Sequence, residues 1–337
     1  MDFQLFIGCD IAQDTFSYCL RSKTDILFQG DISNSVKAIK KWLRELKQVQ
    51  KLDVSQVIFC MEHTGIYGMI FMRTLHQGGL NVCVEGAANI KLSLGLQRGK
   101  NDKVDAQRIA EYAMRYTDRL KLWKPKRDVL EKLQLLNGMR SRLIKARNVL
   151  TSHTKDVLRY MGKSDFAILQ KGTKSSLDAI SRSIKNMDRE IENLIKSDEN
   201  LKRLSELVTS VNGVGMVTCS AMLVKTNEFK DFTEAKKFAC TAGIAPFEHS
   251  SGKSIRGKTR VSHRAHKDLK TLLHMCAIGC INRKGELQDY YLRKVAEGKN
   301  KMLVLNAVRN KLVHRIFAVV RDEVMYEKNH QYNLVVS

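Results

Sequence analysis

The apolar pattern of this chain changes period at Trp123-Lys124-Pro125-Lys126. Before that point short apolar runs are bounded by polar or glycine-containing turns, and after it apolar residues recur every three or four positions over long stretches. A chain patterned in this way divides into a sheet-containing part and a helical part. Proline disfavours helix at the residue before it, and only two prolines, Pro125 and Pro246, occur among 337 residues, so the first is read as the boundary.

In the first part, residues 5–10 and 15–20 flank a short polar turn and read as a strand hairpin, which the run 25–32 extends. Ser33-Asn34-Ser35 suits a helix cap, and Val36, Ile39, Trp42, Leu43 and Leu46 follow at helical spacing. Residues 57–61 read as a buried strand, residues around 70–77 as helix, and 80–84, after Gly78-Gly79, as another strand. A further helix begins near Asp102. Three neighbouring strands followed by alternating helices and strands predict a mixed α/β sheet over residues 1–122.

Within residues 127–207, Leu136, Met139, Leu143, Ala146, Leu150 and Val157 form one apolar tract. Leu177, Ile180, Ile184, Met187, Ile191, Leu194, Leu201 and Val208 form a second, and a polar Gly/Ser/Lys stretch at 162–176 separates the two. They predict an antiparallel coiled-coil pair that can also dimerise, with a helix from Arg127 to Tyr160 reaching about 50 Å. Residues 208–325 read as a mostly α-helical domain, interrupted by a turn at 211–215 and by a loop at 241–261 rich in Gly, Ser and basic residues; 326–337 read as a tail. A long loop in a helical domain is where function is expected.

Lys and Arg total 58 against 35 Asp and Glu, a formal charge of +23. Residues 1–120 hold 16 basic and 13 acidic groups, leaving 42 and 22 for the remainder, so a polyanion-binding surface is expected mainly in the helical part. No apolar run approaches the roughly 20 residues that span a bilayer, and residues 1–4 lack the basic-then-apolar order of a signal peptide. A cytoplasmic protein without membrane association is expected. The eight cysteines include no C-x-x-C pair and read as buried free thiols rather than a zinc site.

Four carboxylates are placed to meet at one sheet edge. Asp10 ends the first strand, Glu62 follows the strand at 57–61, and Asp102 and Asp105, three apart, share one helix face. Such a set suits Mg²⁺ or Mn²⁺, hard cations that take oxygen ligands and serve phosphoryl transfer. The plainer reading has Asn101 or Asp102 capping a helix, Asp105 stabilising its positive end, and Asp10 in a strand-end turn. A second constellation runs from Glu248 to Arg260, with seven Lys/Arg and one acid between Ser251 and Lys270. It reads either as a phosphate grip or as a loop whose serine attacks a phosphodiester. Third, Gly213-Val214-Gly215 resembles a helix-hairpin-helix turn, where backbone amides approach phosphate; an ordinary helix connection reads equally well.

Together these residues resemble the insertion-sequence-110 family of transposases, related to the Piv-type DNA invertases, over nearly the whole chain. The resemblance rests on Asp10, on Glu62-His63-Thr64-Gly65-Ile66-Tyr67 for E-x-T-G-x-Y, and on Asp102-Lys103-Val104-Asp105-Ala106 for D-x-x-D-A. In the second half it rests on Gly213-Val214-Gly215 and on Ala242-Gly243-Ile244-Ala245-Pro246 leading to Ser251-Gly252. It implies a RuvC-like (RNase H-like) first domain whose Asp10, Glu62, Asp102 and Asp105 bind Mg²⁺ or Mn²⁺. It further implies Ser251 as a nucleophile linked covalently to donor and target DNA, an element-encoded guide RNA, and dimers or tetramers that bring the serine of one protomer to the carboxylates of another. Gly213, Gly215, Lys253, Arg256, Lys258, Arg260 and Arg264 are then expected to hold nucleic acid. The chain departs from the family pattern in having Ser250 before Ser251, Asn212 where proline is common, and Ala265 where glycine is. Two rival readings remain: a hydrolytic metal-dependent nuclease acting on branched DNA, and a non-catalytic nucleic-acid-binding protein.

Overall fold

The computed structural model describes residues 3–50, 53–93, 95, 101–152, 154–251, 255–261 and 265–327; for residues 49–50, 54, 154–155, 247–251 and 255–260 only the backbone is described. The chain forms two compact units that divide between Pro125 and Lys126.

The first unit contains β1 (Leu5–Ile11), β2 (Thr15–Arg21), β3 (Ile26–Ser33), α1 (Val36–Gln50), β4 (Val57–Glu62), α2 (Met69–Gln77), β5 (Asn81–Glu85), α3 (Ala87–Ser93) and α4 (Asp102–Arg115). Its five strands lie in the order β3-β2-β1-β4-β5. The β1–β2 and β2–β3 pairs are antiparallel, as hairpin connections allow, and the β1–β4 and β4–β5 pairs are parallel, as helical crossovers require. This is the mixed sheet predicted.

Strand alternation sends Ile7, Cys9 and Ile11 of β1 and Val57, Phe59 and Met61 of β4 to one face. There they meet Ile39, Trp42 and Leu46 of α1 and Phe71, Met72 and Leu75 of α2. Phe16, Trp42 and Phe71 pack edge to face, with Phe16 centroids 5.4 and 5.1 Å from the other two. Val36 is exposed, at the solvent end of the helical stripe.

Phe6, Ile58, Cys60 and Cys83 face the other way and meet Ile109, Tyr112 and Ala113 of α4. At Gly8 the helix touches the strand directly: a Cβ there would fall 2.2 Å from the Ala106 carbonyl oxygen and 2.2 Å from the Ala110 nitrogen. The start of β1 (Phe6) packs on the second half of α4 and its middle (Gly8) on Ala106, so the helix runs antiparallel to the strand. Its first turn therefore lies at the carboxyl end of β1. The pattern gave no sign of α3, in which only Ile90 is buried, so no apolar repeat marks it.

The second unit comprises α5 (Asp128–Thr151), α6 (Thr154–Tyr160), α7 (Lys163–Lys196), α8 (Glu199–Ser210), α9 (Met216–Thr226), α10 (Ala235–Thr241), β6 (Pro246–Ser251), β7 (Ile255–Val261), α11 (Lys267–Ile281), α12 (Glu286–Ala296) and α13 (Lys301–Asp322). Ion pairs Arg127–Asp198 and Arg140–Asp188 show α5 and α7 to be antiparallel. Leu130, Leu133, Ile191 and Ile195 join a core built chiefly from α8, α9, α11 and α13.

Several expectations are corrected here. The polar stretch at 162–176 is not a break: α7 runs through it for 34 residues, and Gly172, with open space around it, costs about 1 kcal/mol without stopping the helix. The break falls earlier, where α5 ends at Thr151 and Gly162 adopts φ +102°, so no single helix spans Arg127 to Tyr160. Burial on α5 lies at Leu130 and Leu133, whereas Met139 and Leu150 of the predicted tract are exposed within the unit. Within the expected loop, residues 246–251 and 255–261 pair as two antiparallel strands. Tyr326, assigned to the tail, donates its N–H to Ser210 Oγ at 2.9 Å; residues 328–337 lie outside the described residues. Among the described residues no helix is long and apolar enough to cross a membrane, and all eight cysteines are free, seven of them buried.

The start of the helical unit is fixed electrostatically. Arg127 donates to both carboxylate oxygens of Asp198, each at 2.9 Å, and to the fully buried Glu228, which Lys230 also contacts. Asp198 in turn caps α8 by accepting from the Leu201 N–H at 3.0 Å. Arg127 holds the Asp198 carboxyl below its usual range. Burial pushes Glu228 up, but Lys230, Arg127 and Asn200 outweigh it and its carboxyl also ends low.

Two stability measurements follow from these contacts. Gly8→Ala must push α4 off the sheet and is expected to lower unfolding free energy in urea by about 3 kcal/mol. Arg127→Ala strands a buried carboxylate and is expected to cost about 2 kcal/mol at neutral pH. Because both carboxyls titrate lower in the folded state, that contribution is present above the ordinary carboxylate range and fades as pH falls below about 4, so the two proteins should converge in acid.

Candidate active site

One register row crosses the whole five-stranded sheet at its polar edge. Asp31 of β3 lies opposite Ser17 of β2, and Ser17 lies opposite Asp10 of β1. One step beyond the Cys9–Met61 pair the row reaches Glu62, and Glu62 lies opposite Glu85 of β5. Gly8, Ile58, Cys60 and Cys83 face α4, so Asp10, Glu62 and Glu85, two residues further along their strands, are on that same face. The first turn of α4 supplies Asp102, its first residue, and Asp105. The backbone thus brings all four sequence-predicted carboxylates to one edge of one sheet face, and adds Asp31 and Glu85.

Local contacts set how these groups are held. Asn101 caps α4, its side chain accepting from the Val104 N–H at 2.8 Å, so the plainer capping role belongs to Asn101 rather than Asp102. Asp105 accepts from Arg108 Nη1 at 2.8 Å, one turn along the helix, and both are largely buried. Asp31 accepts from Ser17 Oγ at 2.5 Å and lies 3.8 Å from Lys103 Nζ. Glu85 accepts from Asn89 Nδ2 at 3.1 Å. Burial, followed by the Glu85 carboxylate and Cys60 and Cys83, pushes the Tyr112 hydroxyl up to about 12. The positive end of α4 offsets part of the repulsion among these acids.

The donor set is entirely carboxylate oxygen on a rigid sheet edge, which fits a hard divalent cation in its chemistry. Among the described residues no three His, Cys, Asp or Glu side chains are gathered closely enough to hold a metal ion as they stand. Backbone placement and side-chain convergence are therefore separate matters here. Asp31, Glu85 and Arg108 escaped the sequence reading because no motif marks them. Strand parity is the signal that finds the first two.

In the second unit, Ser251 is the last residue of β6 and pairs with Ile255, while Ser250 pairs with Arg256. Both serines thus sit at the tip of the hairpin, with Arg256, Lys258 and Arg260 at alternate positions of β7. Lys253 and Arg264 lie outside the described residues. Gly213 takes φ +87°, and a Cβ on it would fall 2.2 Å from Cys280 Sγ, so only glycine fits the turn between α8 and α9. Gly215 opens α9 and has free space around it. A pocket of about 400 Å³ beside the turn is lined by Asn212, Gly213, Arg283, Lys284 and Arg315, among others. The last three are basic groups that sequence spacing did not connect with the turn. Arg315 is committed in part to Glu286, at 2.6 Å.

The chain is similar to known proteins over most of its length. The pilin gene-inverting protein of Moraxella bovis is 27% identical over 331 residues, covering 96% of this chain and 98% of its own. The transposase for insertion sequence element IS1111A of Coxiella burnetii is 23% identical, covering 95% and 90%. Among solved structures, RuvC of T. thermophilus in complex with a Holliday junction substrate aligns with 36% of this chain and 99% of its own, at 12% identity and a TM-score of 0.28. Residues 7–162 match the DEDD transposase model of the IS110 group, and residues 205–292 match the model described as transposase IS116/IS110/IS902 family. On these two matches, the first running from the sheet unit past the boundary to residue 162 and the second lying within the helical unit, the chain belongs to the IS116/IS110/IS902 family of transposases.

Proposed function

We propose that this transposase cuts and rejoins DNA through a phosphoserine link made by Ser251, assisted by Mg²⁺ or Mn²⁺ at Asp10, Glu62, Asp102 and Asp105. The observation that carries this reading is the register row: Asp10 and Glu62 end adjacent parallel strands on the face whose covering helix begins with Asp102 and Asp105. Like charges are costly to concentrate, and an all-oxygen set at the end of a sheet is the arrangement that phosphoryl transfer uses. A divalent cation bound there supplies orientation and charge neutralisation to the scissile phosphate.

The protein's own groups do the rest. The Ser251 oxygen forms a bond to phosphorus as the phosphorus–oxygen bond to one DNA strand end breaks; the serine proton passes to a base and the departing oxygen takes one up. The phosphodiester count is unchanged, so a new strand end rejoins by the reverse attack without nucleotide hydrolysis. Lys253, Arg256, Lys258, Arg260 and Arg264 neutralise backbone phosphates, and the Gly213–Gly215 turn offers main-chain amides. The carboxylates and the serine lie in different units, which supports a dimer or tetramer in which they meet between protomers. The excess of basic over acidic groups beyond residue 120, 42 against 22, supports a second polyanion, an element-encoded guide RNA. The name of the Moraxella relative denotes inversion of a gene, a cut-and-rejoin outcome of the same kind.

The test is a denaturing gel on full-length protein with its native flanking DNA, with and without Mg²⁺. A covalent protein–DNA adduct is expected in wild type and Ser250→Ala, and at least about 1,000-fold less in Ser251→Ala and Asp10→Ala. Free ends without adduct in every variant would assign the cleavage to water and leave Ser251 as a phosphate contact. Binding without cleavage under any condition would remove the catalytic reading.

A further inference from the structure

Among the described residues, the helical unit buries an arginine for which no ion pair is seen. α13 turns Arg309 inward among Leu305, Val308, Leu312 and Val313, all buried, and Arg309 itself is only 6% exposed. Its Nε has no hydrogen-bond partner. No ion pair to it exists among the described residues, and burial alone acts on its guanidinium, drawing it below the usual arginine range. The neighbouring titratable group, His274 of α11, is another base, and its Nδ1 is also buried without a partner. Burial, then the Arg309 charge, holds that imidazole toward its neutral form. Asn310 Oδ1, next along α13, is a third buried polar atom without a partner.

An arginine this buried, with no counter-charge and no acceptor for its Nε, carries a cost that its apolar neighbours do not repay. The helix could carry a Leu or Met at this position and gain stability, so the charge has a use outside the folded chain's own contacts. The planar fork of arginine matches phosphate oxygens, and its long stem lets the head reach a group laid across the helix surface. The position matters as well. Asn306, one turn before, donates from Nδ2 to the Ile244 carbonyl at 2.8 Å, two residues ahead of β6. This stretch of α13 therefore anchors the root of the hairpin that carries Ser251.

We propose that Arg309, with His274 beside it, is a receptor for one backbone phosphate of bound nucleic acid at the root of the β6–β7 hairpin. This rests on the family's action on DNA and not on the serine chemistry, so a negative adduct gel leaves it standing.

The test uses full-length wild type, Arg309→Met and Arg309→Lys, with two probes: a labelled duplex of random sequence and a labelled hairpin RNA. Without nucleic acid, Arg309→Met is expected to melt a few degrees higher than wild type, because it removes the unbalanced charge. With the duplex it is expected to bind about tenfold more weakly, and the slope of log affinity against log salt should shrink by about 0.9, the loss of one phosphate contact. Arg309→Lys keeps the slope. A reduced slope with DNA, with RNA or with both supports the receptor and identifies whose phosphate enters it. An unchanged slope with both probes overturns the proposal at any melting temperature, because partial unfolding lowers affinity without altering the number of counterions released.

Discussion

The contact of α4 with β1 at Gly8 decides the geometry of the first unit. With no side chain on the strand, the helix backbone rests directly on the sheet, and Ala106 and Ala110 continue the close approach from the helix side. The helix axis is thereby fixed against β1, and its first turn arrives where the strands end. The placement of Asp102 and Asp105 beside the strand carboxylates depends on that one gap. A bulkier contact would lift the helix and move Asp102 and Asp105 away from the row that Asp10 and Glu62 occupy.

The helical unit is held differently. Its core is apolar almost throughout, but its entry is set by Arg127, which joins the start of α5 to the cap of α8 and to the buried Glu228. Glu228 lies in a run of three left-handed residues, Asn227, Glu228 and Phe229, so a buried ion pair coincides with an unusual backbone path. The two units thus use opposite means to place an acid. One brings acids to a sheet edge by backbone fit, and the other buries an acid by surrounding it with bases.

Much of this was legible in the sequence, for identifiable reasons. β1, β2, β4 and α2 are short apolar runs punctuated by turns, and parity within them suffices to bring Asp10 and Glu62 to one face. The D-x-x-D spacing read correctly as one helix face because α4 begins at Asp102. The failures also share a cause, which is composition outweighing periodicity. Gly, Ser and Lys at 162–176 suggested a break although nothing there stops a helix, and the basic residues at alternate positions of β7 hid a strand whose other positions include Gly257, a weak strand former. Glu85 and Asp31 carry no motif and emerge only once the strand register is known. Arg309 looks like any surface arginine in the sequence, and only packing reveals that it points inward.

The register row also bears on how such a gene decays. The scaffold around the acids is determined by glycine, alanine and the apolar face of α4, and the carboxylates contribute little to holding it. A copy that loses Asp102 or Glu62 by mutation is expected to keep its fold and its basic surface. Wherever several copies of the element share a cell, a chain of this kind presents to DNA the same basic surface as an intact one. Damaged copies then act as competitors that restrain their active relatives, a form of copy-number control that follows from separating what shapes the site from what charges it.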